Sequence, residues 1–194
     1  MQPGLFDDAP LPGLSYRPGI LGQEEEAGLI ERIEALPLAP FRFQGWLGKR
    51  QTLSLGWNYD FDKASFGPTD PIPDWLAPLK KRAVDFARIP EDDLVQLLIT
   101  RYDPGAGIGW HRDRPVFDHV IGISLGAAAT LRFRRRKDKG FDRVALPIDA
   151  RSIYHLTGAA RFEWEHGIAA METTRWSLTF RSLSARGRTM ASSL

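Results

Sequence analysis

The stretch LVQLLITRY at residues 94–102 opens the part of the chain that decides the fold. From there to residue 183, short apolar or alternating segments follow one another with turn residues between them, which predicts closely spaced strands. Because helical patterns precede this region, we expect an α+β protein that is mainly β: a double-stranded β-helix, or jelly roll, with N-terminal helices packed outside. The predicted strands cover residues 94–102, 107–113, 119–125, 130–136, 143–148, 151–156, 162–168 and 174–183.

The N-terminal half supplies the helices and one further strand. Apolar residues at helical spacing predict helices over 23–36 and 74–88, with Asp74 as the N-cap of the second. The segment 53–61 alternates apolar and polar residues, which predicts a strand. Proline and glycine recur near the N-terminus. We therefore expect an irregular arm over 1–20, a single domain over 21–185 and a basic tail over 186–194.

Composition limits the class of protein. The 194 residues are 43% hydrophobic, enough for one domain with a buried core, and no apolar run approaches the roughly 18 residues of a membrane span. The chain contains no cysteine, which excludes disulfides and thiolate metal sites and fits a reducing compartment. The N-terminus shows no secretory signal. We expect a cytoplasmic protein without membrane contact, and a monomer.

The distribution of charge is more informative than its total. The formal net charge is only +2, yet residues 132–143 hold seven cationic side chains against two carboxylates. Such a local basic surface is suited to phosphate groups. Arg132, Arg134 and Arg136 share one face of a predicted strand and are candidates for contact with a nucleic-acid backbone. The alternative is a solvated hairpin tip.

Three residues have the right chemistry for a metal site. His111 and Asp113 lie two apart on a predicted strand, so their side chains would share a face, and His166 lies on another predicted strand. Two histidines and one carboxylate form the facial triad of non-haem Fe(II) oxygenases. The tripeptide His-x-Asp is common, so by itself it carries little weight. His119 and His155 are expected to be structural or surface residues.

The last predicted strand carries two arginines on one face. Arg175, Ser177, Thr179 and Arg181 alternate with apolar residues. An inward-facing arginine is costly unless it meets an anion, and its guanidinium forms a bidentate fork with carboxylates. 2-Oxoglutarate offers two carboxylates. The alternative is an edge strand whose polar face simply meets water.

Together these motifs resemble the AlkB family of Fe(II)- and 2-oxoglutarate-dependent dioxygenases over roughly residues 50–183. The segments that carry the resemblance are RYDPGA (101–106), HRD (111–113), ISLG (123–126), RSIY (151–154), LTG (156–158), WEHGI (164–168) and RWSLTFR (175–181). They occur in the order of the family.

The resemblance implies roles for particular residues. The implied iron ligands, and therefore the catalytic centre, are His111, Asp113 and His166. The residues implied to hold 2-oxoglutarate are Arg175 and Arg181, assisted by Tyr102 and the neighbouring Thr100. Thr100 stands where the family repair enzyme has asparagine, and Pro115 stands where it has an acidic residue two positions after the metal aspartate. The second departure bears on substrate preference.

The same resemblance implies an activity. Fe(II), 2-oxoglutarate and O2 would be used to demethylate N-alkylated bases of DNA or RNA, with release of formaldehyde. The bases must leave their stack to be reached, and Trp57 and Tyr59 share a strand face on which a flipped base could stack, with Arg50 at the start of the substrate-covering segment. The alternative for these aromatics is ordinary core. Arg134 is the central candidate for backbone contact.

Two other functions stay open. One is an oxygenase on the same scaffold that acts on tRNA, protein or a small molecule, and the other is a non-catalytic jelly-roll binding module that keeps the barrel without turnover. The N-terminal arm adds a possible partner, because Gln2, Leu5 and Phe6 resemble the Q-x-x-L-F peptides that dock on bacterial sliding clamps. The alternatives for this arm are packing on its own barrel and disorder.

Overall fold

A computed structural model of the chain describes residues 10–43, 46–60 and 65–193. The helices of this part are α1 (Gln23–Glu34), α2 (Ala77–Ala87), α3 (Gly158–Phe162) and α4 (Ala185–Ala191), with 3-10 turns at Asp74–Leu76 and Glu91–Asp93. The strands are β1 (Leu14–Arg17), β2 (Ala39–Phe43), β3 (Trp46–Leu55), β4 (Trp57–Asp60), β5 (Ser65–Pro68), β6 (Leu94–Tyr102), β7 (Ile108–His111), β8 (Phe117–Gly126), β9 (Ala129–Arg136), β10 (Phe141–Ile148), β11 (Ser152–Leu156), β12 (Glu165–Ile168) and β13 (Arg175–Leu183).

Two antiparallel sheets form the body of the molecule. The large sheet has the strand order β1-β11-β8-β13-β6-β3-β2, and the small sheet has the order β10-β9-β12-β7. The hairpin β4–β5 is separate from both. Non-sequential neighbours such as β8 and β13, in two sheets joined by a shared core, are typical of a jelly roll. The predicted fold class is confirmed.

The large sheet is buried on both faces. On its outer face α1 and α2 contribute Ile33, Leu79 and Ala83 to a cluster with Leu178 and Phe180 of β13. The inner face contributes a second cluster, in which side chains of both sheets meet: Tyr102, Val120, Tyr154 and Leu156 from the large sheet and Leu131, Phe133 and Ile168 from the small one. The polar residues of β13 alternate with its apolar ones, so they point into this second space between the sheets.

Several element boundaries differ from the sequence prediction because long-range pairing decides them. Residues 14–17 form β1 and pair with β11, although they lie in the segment predicted as an irregular arm. The strand predicted over 162–168 begins only at residue 165, because α3 occupies residues 158–162. In the predicted basic tail, residues up to 191 belong to α4.

The strand predicted over 53–61 is divided at Gly56. This residue has φ of 79°, and a Cβ atom there would lie 2.1 Å from the carbonyl oxygen of Val95. Only glycine fits this position, and the chain breaks from the large sheet into β4. The second predicted helix starts with a 3-10 turn after Pro73, and Asp74 does not cap it.

The predicted clamp-docking peptide with Gln2, Leu5 and Phe6 lies outside the described residues. Within the part of the chain that the structure describes, no helix is long and apolar enough to cross a membrane.

Candidate active site

The three predicted ligands come together between the sheets, at the end of β7. His111 is the last residue of β7 and pairs with His166 of β12, with ring centroids 4.3 Å apart. Asp113 follows in the loop after β7, and its Oδ2 lies 3.4 Å from His166 Nε2. Ligand atoms of all three residues lie within 4.8 Å of one another. The strand predicted to run through residue 113 ends at His111, so Asp113 reaches the cluster from the loop, and the two side chains still converge.

The electrostatics of this cluster favour the metal-binding protonation states. Burial would raise the pKa of Asp113, but Arg181, His166 and His111 outweigh it and hold that pKa well below its ordinary value. Burial, and then the neighbouring His111, lowers the pKa of His166 to about 3. At neutral pH the cluster therefore offers a carboxylate and a neutral imidazole without releasing protons first.

The residues fit an Fe(II) ion. Asp113 Oδ2 and His166 Nδ1 are buried, and neither has a hydrogen-bond partner in the part of the chain that the structure describes. His111 Nδ1 lies 2.9 Å from the carbonyl oxygen of Gly109. If Nδ1 donates there, Nε2 keeps its lone pair free, which is how an outer hydrogen bond orients a metal-binding histidine. Two imidazoles and one carboxylate are the donor set of the 2-His-1-carboxylate Fe(II) centre.

Arg175 provides an unused anion site beside this cluster. Its side chain is completely buried and its Nε donates to Ser124 Oγ at 3.1 Å, while its Nη1 and Nη2 have no hydrogen-bond partner among the described residues. The guanidinium carbon lies 5.3 Å from the ring centroid of Tyr102, which pairs with Arg175 across β6 and β13. A buried charge without a partner is strongly unfavourable. The two free nitrogens are therefore placed for a carboxylate.

Arg181 is engaged differently. Its Nε and Nη2 donate to Asp113 Oδ1 at 2.8 and 2.6 Å, and its Nη1 donates to Gln96 Oε1 at 2.9 Å. In this structure Arg181 holds the carboxylate of the triad, and its predicted contact with 2-oxoglutarate stays a prediction. Thr100 is buried on β6, opposite Ser177, two pairs along from Tyr102 and Arg175.

The predicted substrate residues are less closely grouped. Trp57 stacks on Phe66 with centroids 4.9 Å apart, and Tyr59 lies under the guanidinium of Arg114 at 4.6 Å. Both aromatics pack on a third apolar cluster around Phe66, which agrees with the core alternative stated above. Arg50 lies over the Phe41 ring at 3.9 Å, and burial holds the pKa of its guanidinium below the usual range despite the smaller opposing effect of Tyr102.

Arg134 lies on the other side of the small sheet from the metal cluster. It donates to Glu165 Oε2 at 2.6 Å and stacks on Trp110 and Phe141 with its guanidinium carbon 4.7 Å from each ring centroid. Its β9 neighbour Phe133 is fully buried and faces the inner space. Arg134 therefore does not line the reaction space.

Sequence reasoning missed two polar residues that support the site. Gln96 is buried, accepts from Arg181 and donates from Nε2 to Ser54 Oγ at 2.9 Å, and Ser54 in turn donates to the carbonyl oxygen of Trp57 at 3.0 Å. This chain of hydrogen bonds links the metal carboxylate to the start of β4. A glutamine inside the apolar run of β6 was the available signal.

The second missed residue is Arg161 of α3. It is 2% exposed and donates to three backbone carbonyl oxygens, those of Arg114, Phe117 and Asp118, at 2.7–3.1 Å. These bonds fix the loop that carries Asp113. Nothing in the sequence around Arg161 distinguishes it from a surface arginine of a short helix.

The two remaining histidines form a pair on the outer face of the large sheet. His119 Nδ1 lies 2.9 Å from His155 Nε2, and the rings are stacked. His155 alternates with Tyr154 and Leu156, both of which face the inner space, so it points away from the metal cluster. Burial, and then His119, lowers the pKa of His155 to about 4.

Comparisons with known proteins identify relatives of this arrangement. A sequence model of the 2OG-Fe(II) oxygenase superfamily matches residues 13–181. The tRNA (carboxymethyluridine(34)-5-O)-methyltransferase ALKBH8 of Mus musculus is 27% identical over 165 residues, covering 81% of this chain and 24% of that protein. The alpha-ketoglutarate-dependent dioxygenase alkB homolog 4 of Homo sapiens is 52% identical over 44 residues, covering 22% of this chain and 15% of that protein.

A solved structure shares the fold. The structure of OsALKBH1 matches with a TM-score of 0.66 at 19% identity, covering 89% of this chain and 99% of that chain. The chain spans about a quarter of the length of the ALKBH8 proteins of mouse, Xenopus tropicalis and Macaca fascicularis.

Proposed function

The chain belongs to the 2OG-Fe(II) oxygenase superfamily and is AlkB-like, and from this premise we propose that it removes methyl groups from N-alkylated bases of DNA or RNA. It is a 2-oxoglutarate-dependent dioxygenase that uses Fe(II), 2-oxoglutarate and O2. The choice of nucleobases as substrate, and demethylation as the outcome, are our proposal.

The observation that carries the oxygenase chemistry is the unpartnered fork of Arg175 beside the His-Asp-His cluster. Both features face the space between the sheets, and among the described residues each keeps buried polar atoms without a hydrogen-bond partner: Asp113 Oδ2 and His166 Nδ1 in the cluster, and Nη1 and Nη2 in the fork. Fe(II) and 2-oxoglutarate supply these partners together. A purely structural role for these residues would not explain why buried polar atoms are left without hydrogen-bond partners.

The protein's own residues orient and isolate the reactants. His111, Asp113 and His166 would hold the metal, and the Arg175 fork would fix one carboxylate of 2-oxoglutarate. Arg181 holds Asp113 in place through its Oδ1, which leaves Oδ2 turned toward His166. The apolar side chains of the inner cluster keep water from this space.

When bound, the metal with 2-oxoglutarate and O2 supplies the oxidising power that places a hydroxyl group on the N-methyl carbon. In the proposed reaction the resulting N-hydroxymethyl group divides into formaldehyde and the free amine. The carbon–nitrogen bond breaks, the hydroxyl proton passes to the nitrogen, and the carbon and oxygen leave as the carbonyl group of formaldehyde. The cosubstrate 2-oxoglutarate is converted into succinate and carbon dioxide.

Nucleic acid is supported as the substrate by two observations. Residues 132–143 carry a concentration of arginine and lysine that suits phosphates. In addition, the mouse relative is named for an activity on tRNA. That name favours a tRNA base as a second candidate substrate on the same scaffold, while protein and small-molecule substrates have no observation in their favour among the described residues.

A screen of methylated oligonucleotides tests the proposal. The purified protein, with Fe(II), 2-oxoglutarate and ascorbate, is incubated with single- and double-stranded DNA, RNA and tRNA that carry N-methylated bases. We expect one of these substrates to lose the mass of a methylene group, with Asp113→Ala as the inactive control. Succinate formation without any change in oligonucleotide mass would support the oxygenase activity but contradict the proposed nucleobase substrate.

Docking of the arm on a sliding clamp also remains our proposal. It depends on Gln2, Leu5 and Phe6 alone. Calorimetry of a peptide covering residues 1–10 against a bacterial clamp tests it, and we expect micromolar binding that is lost on Leu5→Ala/Phe6→Ala. No heat from the unaltered peptide would contradict it. The expected monomer is checked by light scattering, and the expected cytoplasmic location by fractionation of cells.

A further inference from the structure

The outer face of the small sheet carries a group of arginines around two aromatic rings. We call it the outer cationic face; its members are Trp110, Arg132, Arg134, Arg136, Phe141 and Arg143. Strand register places it: His166 pairs with both His111 and Phe133, and these inner residues alternate with the members of the face. The face therefore lies on the side of the sheet opposite to the metal cluster.

Like charges oppose one another across this face. Arg143 of β10 is the direct partner of Arg134 of β9 in the antiparallel register. Like charges directly opposite in a sheet are destabilising. Glu165, on the other side of Arg134, offsets part of this repulsion, with an N–O distance of 2.6 Å. In the described residues, Arg136, Lys139 and Arg143 have no ion pair, so the repulsion remains incompletely compensated.

Aromatic rings hold the guanidinium groups in fixed positions. The guanidinium carbons of Arg132 and Arg134 lie 5.1 and 4.7 Å from the Trp110 ring centroid, and those of Arg134, Arg136 and Arg143 lie 4.7, 5.7 and 5.7 Å from that of Phe141. The Nε atom of Arg132 is buried without a hydrogen-bond partner. A guanidinium that is stacked on a ring keeps its donors free for an anion and loses little entropy on binding.

The spacing of these groups suits a repeating anion. Arg132, Arg134 and Arg136 alternate along β9, which separates them by about 7 Å each, since a strand rises about 3.4 Å per residue. A nucleic-acid strand also presents its phosphates at regular intervals. Because the backbone winds round the axis, successive phosphates are farther apart than their axial rise of about 3.4 Å, so an evenly spaced row of guanidinium groups suits neighbouring phosphates. The tip of the hairpin extends the same charge with Lys137 and Lys139.

We propose that the outer cationic face binds the phosphodiester backbone of a polynucleotide at a distance from the base that reacts. This inference rests on the proposed function, since it takes the substrate to be nucleic acid. The reacting base enters between the sheets, whereas the face lies behind the small sheet, so both sites are filled only by a strand long enough to pass around its edge. The preferred substrate is therefore a long or folded polynucleotide and not a nucleoside.

A salt titration tests the face directly. The probe is a fluorescent single strand of about 20 nucleotides, whose binding is measured by anisotropy at a series of salt concentrations. The variant Arg136→Gln/Lys139→Gln/Arg143→Gln removes cations that make no ion pair in the described residues. The matched control is Arg32→Gln/Lys80→Gln/Arg88→Gln, on and beside the helices that cover the large sheet, whose cations also make no ion pair in the described residues.

We expect the first variant to bind at least about tenfold more weakly. The steepness of the fall of log K with log salt should decrease by about 2, because three phosphate contacts are lost and each contributes about 0.7 on a single strand. The control variant should keep the wild-type slope within experimental error. An unchanged slope in the first variant, or an equal loss in both variants, would overturn the proposal. Equal displacement of the probe by polyglutamate and by an unlabelled oligonucleotide of the same charge would also overturn it, in favour of an acidic protein partner.

A second measurement separates this inference from the proposed function. A methylated dinucleotide is too short to reach the outer cationic face, so its demethylation should be the same in wild type and in the first variant, while that of the long strand falls. If no methylated substrate is demethylated but the salt slopes differ as expected, the face is confirmed and the proposed reaction fails. If the dinucleotide is demethylated and the slopes are equal, the reaction stands and the face fails.

Discussion

Removing the Arg175 guanidinium should weaken 2-oxoglutarate binding strongly, while the stability of the ligand-free protein stays nearly unchanged or rises. Arg175→Met keeps an unbranched side chain of similar length and removes the buried charge. Within residues 10–43, 46–60 and 65–193, Nη1 and Nη2 have no hydrogen-bond partner, so the substitution removes the single bond from Nε to Ser124 there. Arg181→Met provides the contrast from the same strand face, because it takes away the partners of Asp113.

The magnitudes follow from these contacts. Two charge-assisted hydrogen bonds from Arg175 to a carboxylate are worth about 1.5–3 kcal/mol each, so Arg175→Met should weaken 2-oxoglutarate binding by about 10²- to 10⁴-fold. Its effect on the free energy of unfolding without ligand should stay within about 1 kcal/mol of wild type, or be stabilising. Arg181→Met leaves a buried carboxylate unpaired and should destabilise by about 3–5 kcal/mol.

Thermal and urea unfolding measure both effects. With Mn(II) as a redox-inert metal and 2-oxoglutarate at about 100 times its Kd, the wild-type protein should gain about 2.7 kcal/mol, which raises Tm by about 5–11 °C. Arg175→Met should show no such gain at the same concentration. A full thermal shift in this variant would refute the anion site. A loss of more than about 2 kcal/mol without ligand would refute the reasoning that its charge is uncompensated.

Four further outcomes are expected. Asp113→Ala should abolish the Tm shift caused by Mn(II), which differential scanning fluorimetry measures; an unchanged shift would remove Asp113 from the ligand set. Gln96→Leu should raise the KM for the oligonucleotide while the KM for 2-oxoglutarate stays within about twofold, because it breaks the link to β4; equal changes would contradict a positioning role. Tyr102→Phe should weaken 2-oxoglutarate binding, measured by calorimetry, by about 2- to 12-fold, which is the loss of one neutral hydrogen bond; a larger loss would contradict that role. Because the folded pKa of His155 is lowered to about 4, the unfolded chain binds the extra proton as pH falls from about 6.5, and stability should drop by on the order of 3 kcal/mol between about pH 7 and about pH 4; urea titrations of His155→Gln should show a flatter dependence.

The sequence predicted the β-rich half of the fold because its strands alternate. In β13 the polar residues Arg175, Ser177, Thr179 and Arg181 face inward, as the period of two required, and the apolar residues between them pack under the helices. Residues 94–102 were also predicted with the observed boundaries. Where a strand has two distinct environments, its sequence carries that information directly.

Elements decided by long-range pairing could not be predicted. β1 lies in a segment rich in proline and glycine and exists because it pairs with β11, far along the chain. Helix α3 has only five residues, too few for helical periodicity to appear. Such elements are stabilised by their neighbours, and their own sequence does not specify them.

The candidate site was predicted by residue type, and its internal contacts were not. His111, Asp113 and His166 do meet. However, Arg175 and Arg181 are equivalent in the strand pattern. Only the structure shows that Nη1 and Nη2 of Arg175 have no hydrogen-bond partner among the described residues, while Arg181 holds Asp113. Which arginine finds a carboxylate depends on the loop after β7, whose conformation Arg161 fixes from another element.

The stoichiometry of turnover tests the central claim most directly. Wild-type protein is incubated with Fe(II), 2-oxoglutarate, O2 and the methylated oligonucleotide that the screen identifies, and succinate, formaldehyde and unmethylated base are measured in the same samples. The account predicts one formaldehyde and one unmethylated base for each coupled succinate, and none of the three in His166→Ala. Loss of the methyl group without 2-oxoglutarate, or at the wild-type rate in His166→Ala, would contradict it.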